Sequence, residues 1–144
     1  MAQTAIFVPF LGVMFLSFLV WTYMYVRRLH FFHVNQVDPQ SFATRASAMS
    51  AAPDALQNPS NNLQNLFELP VLFYALCLYL YSVGQVDEPH VICAYLFLGF
   101  RAVHSLIHCT VNKVIWRFLT YAAAAIALWT MVVRSVLNLW MGSA

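Results

Sequence analysis

The chain has 144 residues, of which 62% are apolar and only 8% are charged, and its formal net charge is +2. Because a soluble domain carries about 25% charged residues, this composition excludes a largely water-exposed surface and indicates a protein surrounded by lipid. The small net charge argues against a nucleic-acid partner. One bilayer crossing needs about 20 mostly apolar residues, so the length accommodates four crossings and little else.

The first predicted membrane helix covers residues 5–29. An apolar run from Ala5 to Val26 is followed by Arg27 and Arg28, and aromatic residues near this end are typical of the membrane interface. The run is too long for the apolar part of a signal peptide, and no basic residues precede it. We therefore expect a helix that is retained in the protein.

A long polar stretch, residues 30–60, is rich in Ala, Ser, Asn and Pro and predicts a loop with one short interfacial helix. Three further membrane helices are expected at residues 61–83, 90–111 and 114–140. Pro70 is expected to kink the first of these three. Residues 1–144 are therefore predicted to form one domain, an all-α integral membrane protein folded as a four-transmembrane-helix bundle.

The distribution of basic residues predicts the orientation of this bundle. Beside the first and third loops lie Arg27, Arg28, Arg45, Lys113 and Arg117. The second loop contains Asp87 and Glu88 and has no Lys or Arg. Under the positive-inside rule, this multi-pass protein has loops one and three in the cytoplasm and both termini outside.

Four ionisable residues lie well within the predicted membrane helices, where a central charge costs about 2.5 to 3.5 kcal/mol on insertion scales. They are Glu68 on the second helix and Arg101, His104 and His108 on the third. The three residues of the third helix are spaced i, i+3, i+7, which places them on one face. Such residues rarely face lipid, so we expect this polar stripe to point into the protein.

A second stripe, on the preceding helix, comprises Asn61, Asn65 and Glu68 at i, i+4 and i+7. At 1.5 Å per residue, Glu68 and His104 both lie about 10 Å from the cytoplasmic ends of their helices. The two stripes are therefore expected to line one polar cavity that opens to the cytoplasm, either within one chain or between subunits.

Simpler structural roles stay open for these residues. Glu68 and Arg101 could form a buried ion pair that fixes the helix register without any ligand. His104 and His108 could bind a metal together with Glu68, but the sequence lacks an HExxH pattern, and we expect no metal. The asparagines among residues 61–65 could be interfacial residues at a helix start.

The sequence combines several features of one family. The chain is short, a long polar first loop leads into NNLQNLFELPVLFYAL, the third helix ends in FRAVHSLIHCTVNKVIWR, and the remaining loops are very short. In these features it resembles the MAPEG family, the membrane-associated proteins of eicosanoid and glutathione metabolism, and looks most like the small bacterial branch. The resemblance covers nearly the whole chain and implies a location in a bacterial inner membrane.

The family's glutathione-binding residues can be matched to positions of this sequence. In the family, the second helix carries Arg-x-x-x-Asn-x-x-Glu, and here Asn65 and Glu68 match the last two while Asn61 stands at the Arg position. The family's third helix has an Arg followed by tyrosines three and seven residues later. Arg101 matches this Arg, and His104 and His108 stand at the tyrosine positions.

A further family Arg, near the cytoplasmic end of the fourth helix, activates the thiol of glutathione. Arg117 lies in that region, although at a different spacing from Arg101. The resemblance therefore implies Arg101 and Arg117 as catalytic residues. It implies a larger set of residues that bind glutathione as a co-substrate, namely Asn61, Asn65, Glu68, His104 and His108. It also implies a homotrimer in which the sites lie between adjacent subunits.

The function that the resemblance implies is that of a membrane-bound glutathione transferase or peroxidase-like protein, whose activated thiol attacks a lipophilic electrophile in the membrane. Asn61 and the replaced tyrosines favour an alternative, a non-catalytic protein of the same fold that binds lipid or a protein partner. A third hypothesis is a small transporter or proton path through Glu68, His104 and His108. A polar stripe near one face does not cross the membrane, which argues against this third hypothesis.

Overall fold

The computed structural model describes residues 2–42, 44 and 53–142, and over these residues it contains helices and no strands. The longer helices are α1 Phe7–Asn35, α2 Asp54–Asn65, α3 Leu69–Ser82, α4 Glu88–Cys109 and α5 Val114–Gly142. Short 3-10 helices cover Gln3–Ile6 and Pro39–Phe42. The described chain has four stretches that are long and apolar enough to span a membrane, at Gln3–Asn35, Leu56–Ser82, Glu88–Cys109 and Val114–Met141. The predicted all-α fold with four membrane helices is confirmed.

The first membrane helix is longer than predicted, since α1 continues to Asn35 instead of ending at residue 29. Arg27 lies within α1, where its Nη1 donates to the hydroxyl of Tyr23 one turn earlier, at 3.0 Å. α1 ends where Gln36 takes a left-handed conformation with a φ of 52°. The polar connection after α1 is therefore shorter than the sequence predicts.

The second predicted membrane helix, residues 61–83, consists of two helices in the structure. α2 begins earlier, at Asp54, and the chain leaves the helical conformation at residues 66–68 before α3 begins. Pro70 explains this interruption, because proline has no N–H to donate and its ring clashes with the carbonyl of residue 66 in a continuous helix. The expected kink is thus a complete break, and Glu68 has non-helical angles of φ −98° and ψ −100°.

Packing in the bundle is organised around α4, which contacts α1, α2 and α5. A hydrophobic core joins α1, α3, α4 and α5, and within it the rings of Phe73 and Phe97 stack with their centroids 4.5 Å apart. Gly12 allows α1 to approach α4, since a Cβ at this position would come within 2.6 Å of Leu98 Cδ2. Many outward-facing side chains are apolar, such as Leu106, which is 65% exposed, so the outer surface suits lipid.

Two contacts between distant parts of the chain define the ends of the bundle. The side chain of Gln3 bonds to the backbone N–H and carbonyl of Val86 at 2.9 and 3.1 Å, which places the N-terminal segment beside the second loop. At the opposite end, Asn112 of the third loop donates to Asn58 of α2 at 2.9 Å. We call these the loop-2 end and the loop-1 end. Arg45, which contributed to the predicted orientation, lies outside the described residues.

Charged side chains at the loop-2 end pair with one another. Asp87 Oδ1 accepts a hydrogen bond from the backbone N–H of His90 at 3.1 Å and caps α4, which therefore begins at Glu88 rather than at the predicted residue 90. The buried His90 ring also has its Nδ1 2.6 Å from Asp87 Oδ1. Nε and Nη2 of Arg134 donate to Asp87 Oδ2 at 2.9 and 2.5 Å. These contacts tie α5 to the start of α4.

Candidate functional site

The polar stripe of α4 is buried inside the chain. Arg101 has no exposed surface, and His104 and His108 are 3% and 1% exposed. The rings of the two histidines meet edge to face, with their centroids 5.5 Å apart. This face of α4 is turned toward α2 and α5, as the i, i+3, i+7 spacing predicts for polar residues that avoid lipid.

The guanidinium group of Arg101 has contacts on two sides and is still incompletely bonded. Nη2 donates to the Asn65 carbonyl at 2.7 Å, and the group lies over the ring of Tyr121, 5.6 Å from its centroid. Asn65 can accept this bond because α2 ends there, whereas in a continuous helix its carbonyl would bond to the N–H of residue 69. The buried Nε and Nη1 of Arg101 have no hydrogen-bond partner within the described part of the chain.

Arg117 brings α5 to the same region. Its carbonyl oxygen lies 3.0 Å from Nδ1 of His104. Because a carbonyl only accepts, we assign the proton of a neutral His104 to Nδ1, which leaves a lone pair on Nε2. Nη1 of Arg117 donates to Oδ1 of Asn112 at 2.6 Å, while the buried Nε has no partner among residues 2–42, 44 and 53–142.

A cavity of about 270 Å³ lies between the end of α2 and the first turns of α5. It is lined by Asn65, His104, Val114, Arg117, Phe118 and Tyr121. Two of these lining residues have buried nitrogen atoms without a partner in the described chain, namely Nε2 of His104 and Nε of Arg117. Arg101 (Nε and Nη1) and His108 (Nδ1) also have such atoms, but they do not line the cavity; Arg101 contacts the lining residues Asn65 and Tyr121. Buried polar atoms are bonded in most native proteins, so this concentration indicates a site for a polar ligand. An acceptor or anionic group would satisfy the arginine N–H groups, and a donor would satisfy Nε2 of His104.

Glu68 and Asn61 do not line this cavity, contrary to the stripe predicted on the second helix. Glu68 is exposed, and within the described residues it forms no ion pair with Arg101, although the two charges are close enough to interact. The i, i+4, i+7 spacing assumed a continuous helix, and the break after Asn65 removes Glu68 from that face. The hypothesis of a buried Glu68–Arg101 ion pair is therefore wrong.

The arrangement also argues against the metal site considered for His104, His108 and Glu68. Among the described residues, no group of three His, Cys, Asp or Glu side chains is close enough together to hold a metal ion. The two histidines are buried, whereas Glu68 is exposed beyond the helix break. Of the two histidines, His104 lines the cavity and His108 is buried on the same face of α4.

The face of α2 that meets α4 is a different one from the predicted stripe, and it runs through Asn58, Asn62 and Asn65. Asn62 is fully buried, accepts a hydrogen bond from Ser105 Oγ at 3.3 Å and donates to Cys109 Sγ at 3.4 Å. Sequence analysis missed Asn62 as a packing residue of the site. The signal was available, because these three asparagines are themselves spaced i, i+4, i+7 and lie on one helical face.

Tyr121 of α5 is a second residue that sequence analysis missed. Besides contacting Arg101, its ring lies 5.8 Å from the ring of His104, and it lines the cavity. A cation over a tyrosine ring contributes about 0.5 to 2 kcal/mol, depending on desolvation. The available signal was the i, i+4 spacing from Arg117, which places both residues on one face of α5.

Comparison with known proteins identifies the family. A family model described as the MAPEG family matches residues 6–137 of the 144-residue chain. No curated protein and no solved structure matches the chain. The family match supports a membrane glutathione-transferase-like or related function in general terms. With its four membrane-spanning stretches in the described residues, this chain is an integral, multi-pass membrane protein that belongs to the MAPEG family.

Proposed function

We propose that this chain is a membrane-bound glutathione transferase or peroxidase-like protein that activates the thiol of glutathione for attack on a lipophilic electrophile. The observation that carries the proposal is the buried Arg101, whose Nε and Nη1 have no partner in the described chain and whose guanidinium contacts Asn65 and Tyr121, two residues that line the cavity. A neighbouring cation favours the thiolate, which is the nucleophilic form of a thiol. Membership of the MAPEG family supports the same class of chemistry.

The proposed reaction begins with removal of the thiol proton. Nε2 of His104 accepts this proton, because its lone pair is free when Nδ1–H donates to the Arg117 carbonyl. Arg101 stabilises the thiolate, with Arg117 as the second catalytic cation. The sulfur lone pair then forms a bond to the electrophilic carbon of the lipophilic substrate, and in a substitution the leaving group departs with the bonding pair.

The remaining proposed residues bind the peptide part of glutathione. We assign Asn61, Asn65 and His108 to this role, and Glu68 to the amino group of glutathione. Glu68 is exposed on the outside of the chain, and the cavity of about 270 Å³ is slightly smaller than the roughly 300 to 1,000 Å³ of most ligand pockets. Both observations support a site that is completed by a neighbouring subunit of a homotrimer.

The proposed orientation places the loop-1 end in the cytoplasm of a bacterial inner membrane and both termini outside. The loop-1 end carries Arg27, Arg28 and Lys113, whereas the second loop carries acidic residues and no Lys or Arg. Arg134 is a cation near the opposite end, but its charge is paired with Asp87. The candidate site would then take glutathione from the cytoplasm and the electrophile from the lipid.

A non-catalytic member of the family, which binds lipid or a protein partner, is the second candidate function. It is favoured by Asn61, which stands at the position of the family's Arg and does not line the cavity. Ultraviolet absorbance separates the two candidates, because an enzyme of this kind generates thiolate when glutathione is added. S-methylglutathione, which has no ionisable thiol, is the matched control.

The first experiment compares the thermal midpoint of the detergent-purified protein with and without millimolar glutathione, in wild type, Glu68→Ala and Glu88→Ala. A ligand at 100 times its dissociation constant stabilises a protein by about 2.7 kcal/mol. We expect an upward shift in wild type and in Glu88→Ala, which removes another exposed carboxylate, at the loop-2 end. The shift should be lost in Glu68→Ala.

Other outcomes have distinct meanings for the proposal. A shift that persists in Glu68→Ala would contradict the role of Glu68 and leave the Arg101 site intact. No shift in any of the three proteins would contradict glutathione binding itself and favour the non-catalytic candidate.

A further inference from the structure

A groove between α1 and α4 is a second feature of the loop-1 half of the bundle, and the proposed chemistry does not use it. Its volume is about 330 Å³, and it lies on the outer surface, where Leu106 is 65% exposed. Its lining runs along α1 from Leu16 to Tyr23 and along α4 from Ala102 to Thr110. The lining is mostly apolar, so the occupant of the groove has to be mostly apolar as well.

The groove has a direction along the membrane normal. Near its inner end, Gly12 lets α1 approach α4 closely, and the lining begins one turn later at Leu16. From there it extends to Tyr23 on α1, a distance of about 10 Å at 1.5 Å per residue. Thr110, at the end of α4, lines the groove at the same end as Tyr23. The groove therefore runs from the membrane interior to the membrane surface at the loop-1 end.

A cation lies at the surface end of this groove. Nη1 of Arg27 donates to the hydroxyl of Tyr23 at 3.0 Å, and its guanidinium lies 5.7 Å from the centre of the same ring. In the described part of the chain, no carboxylate forms an ion pair with Arg27. Its neighbour Arg28 adds a second positive charge. The groove thus has an apolar length and an unneutralised positive end.

We propose that this groove binds one acyl chain of an anionic phospholipid, whose phosphate contacts Arg27 and the hydroxyl of Tyr23. The apolar length and the positive end of the groove match the acyl chain and the headgroup of a lipid in the leaflet at the loop-1 end. The headgroup would lie at the surface and the chain would be directed inward. Basic residues at a membrane surface attract anionic lipids, and guanidinium groups donate paired hydrogen bonds to phosphate. The proposal is independent of the glutathione chemistry.

Binding in the groove has a structural consequence. Ser105 and Cys109 line the groove and also bond to the buried Asn62 of α2. A lipid that bridges α1 and α4 therefore packs against the side chains that fix α2. We expect anionic lipid to raise the thermal midpoint of the protein as well as to remain bound during purification.

The test uses the full-length protein in detergent, with added phosphatidylglycerol or with phosphatidylcholine of identical acyl chains, and native mass spectrometry to count retained lipids. Wild type should retain phosphatidylglycerol in preference to phosphatidylcholine. Arg27→Gln should weaken this binding at least fivefold. The matched control is Arg28→Gln, which removes the same charge from the neighbouring residue and should have a smaller effect. Equal losses in the two variants would overturn the site and indicate general surface attraction.

A second pair of variants tests the acyl-chain part without changing charge. Ala102→Phe fills the groove and should abolish the preference for bound lipid. Ile126→Phe adds a ring to α5 at an outward-facing position that is 67% exposed and does not line this groove, and it should leave lipid binding unchanged. Unaltered lipid binding in Ala102→Phe would contradict the proposal. A different result would also overturn the proposal: wild type retains no lipid, and Ala102→Phe fails to form the oligomer that wild type and the control variant form. This result would show that a second copy of the chain occupies the groove.

Discussion

The two ends of the bundle differ in how their charged side chains are paired, although both ends are built from α4 and α5. At the loop-2 end, Asp87 accepts hydrogen bonds from Arg134 and from the backbone N–H of His90, so the carboxylate and the guanidinium are paired with each other. At the loop-1 end, Arg101 and Arg117 are close to histidines and carbonyl groups, and they keep nitrogen atoms that have no partner in the described chain.

This difference separates a structural cluster from a candidate binding site. Paired charges hold two helices together and need no further partner. Buried donors without acceptors destabilise a folded protein, and such groups persist in natural proteins where a ligand or another molecule satisfies them. The comparison predicts that substitutions at the loop-2 end change stability, whereas substitutions at the loop-1 end change ligand binding.

The largest expected effect is that of Arg101→Met. A hydrogen bond to a charged group contributes about 1.5 to 3 kcal/mol, so the affinity for glutathione should fall roughly 10- to 100-fold. The thermal midpoint without ligand should stay the same or rise, because a buried and incompletely bonded charge is replaced by an apolar chain of similar length. Thermal midpoints over a glutathione titration measure both quantities. A large loss of stability with unchanged glutathione affinity would show that Arg101 is structural.

The second largest effect is expected from Asp87→Ala, and it is a loss of stability rather than a loss of glutathione affinity. This change removes the side chain that caps α4 and pairs with Arg134, and it should lower the free energy of unfolding by about 1 to 2 kcal/mol. The stabilisation by glutathione should be unchanged. Asp87→Asn keeps the cap and removes the charge, so its loss should be smaller. Reduced glutathione affinity in a folded Asp87→Ala protein would contradict the separation of the two ends.

The smallest expected effect is the pH dependence of the stability that Asp87 contributes at the loop-2 end. Partial burial alone would raise the pKa of the Asp87 carboxyl, but hydrogen bonds from Arg134 and the backbone N–H of His90 bring this pKa below its ordinary value. A carboxylate with a lowered pKa stabilises the folded state above its unfolded pKa of about 3.9, and this stabilisation is lost as the pH falls through its folded pKa.

We therefore expect the difference in thermal midpoint between wild type and Asp87→Asn to be constant above about pH 5 and to shrink below about pH 4. Because Asp87 is partly exposed, the effect should be a fraction of a kcal/mol to about 1 kcal/mol. A constant difference down to pH 3 would show that the charge of Asp87 contributes nothing to stability.

Local patterns were sufficient for the parts of the fold that depend on a single helix. Hydropathy predicted four membrane helices, and the spacing of Arg101, His104 and His108 predicted a buried face of α4, because both properties repeat with the period of one helix. Pro70 indicated where the second helix is irregular. The extent of that irregularity was not predicted, since it depends on how α3 packs after the break.

The stripe assigned to the second helix failed for a related reason. Asn61, Asn65 and Glu68 share a face only if the helix continues through Glu68, and the structure ends α2 at Asn65. The alternative spacing through Asn58 and Asn62 was equally visible in the sequence. Sequence spacing does not state which of two polar faces meets a neighbouring helix, so only the contact of Asn62 with Ser105 of α4 distinguishes them.

The sequence by itself determined that this protein lies in a membrane, crosses it with four helices and keeps Arg101, His104 and His108 on one buried face of α4, because the hydrophobic effect and helical periodicity act locally. The tertiary structure decided which of these groups meet. The carbonyl that Arg101 contacts, the ring of Tyr121 beneath it and the cavity beside Arg117 come from three different helices. Such contacts depend on the angle and depth at which helices pack, and these follow from the sum of many side-chain contacts along their length.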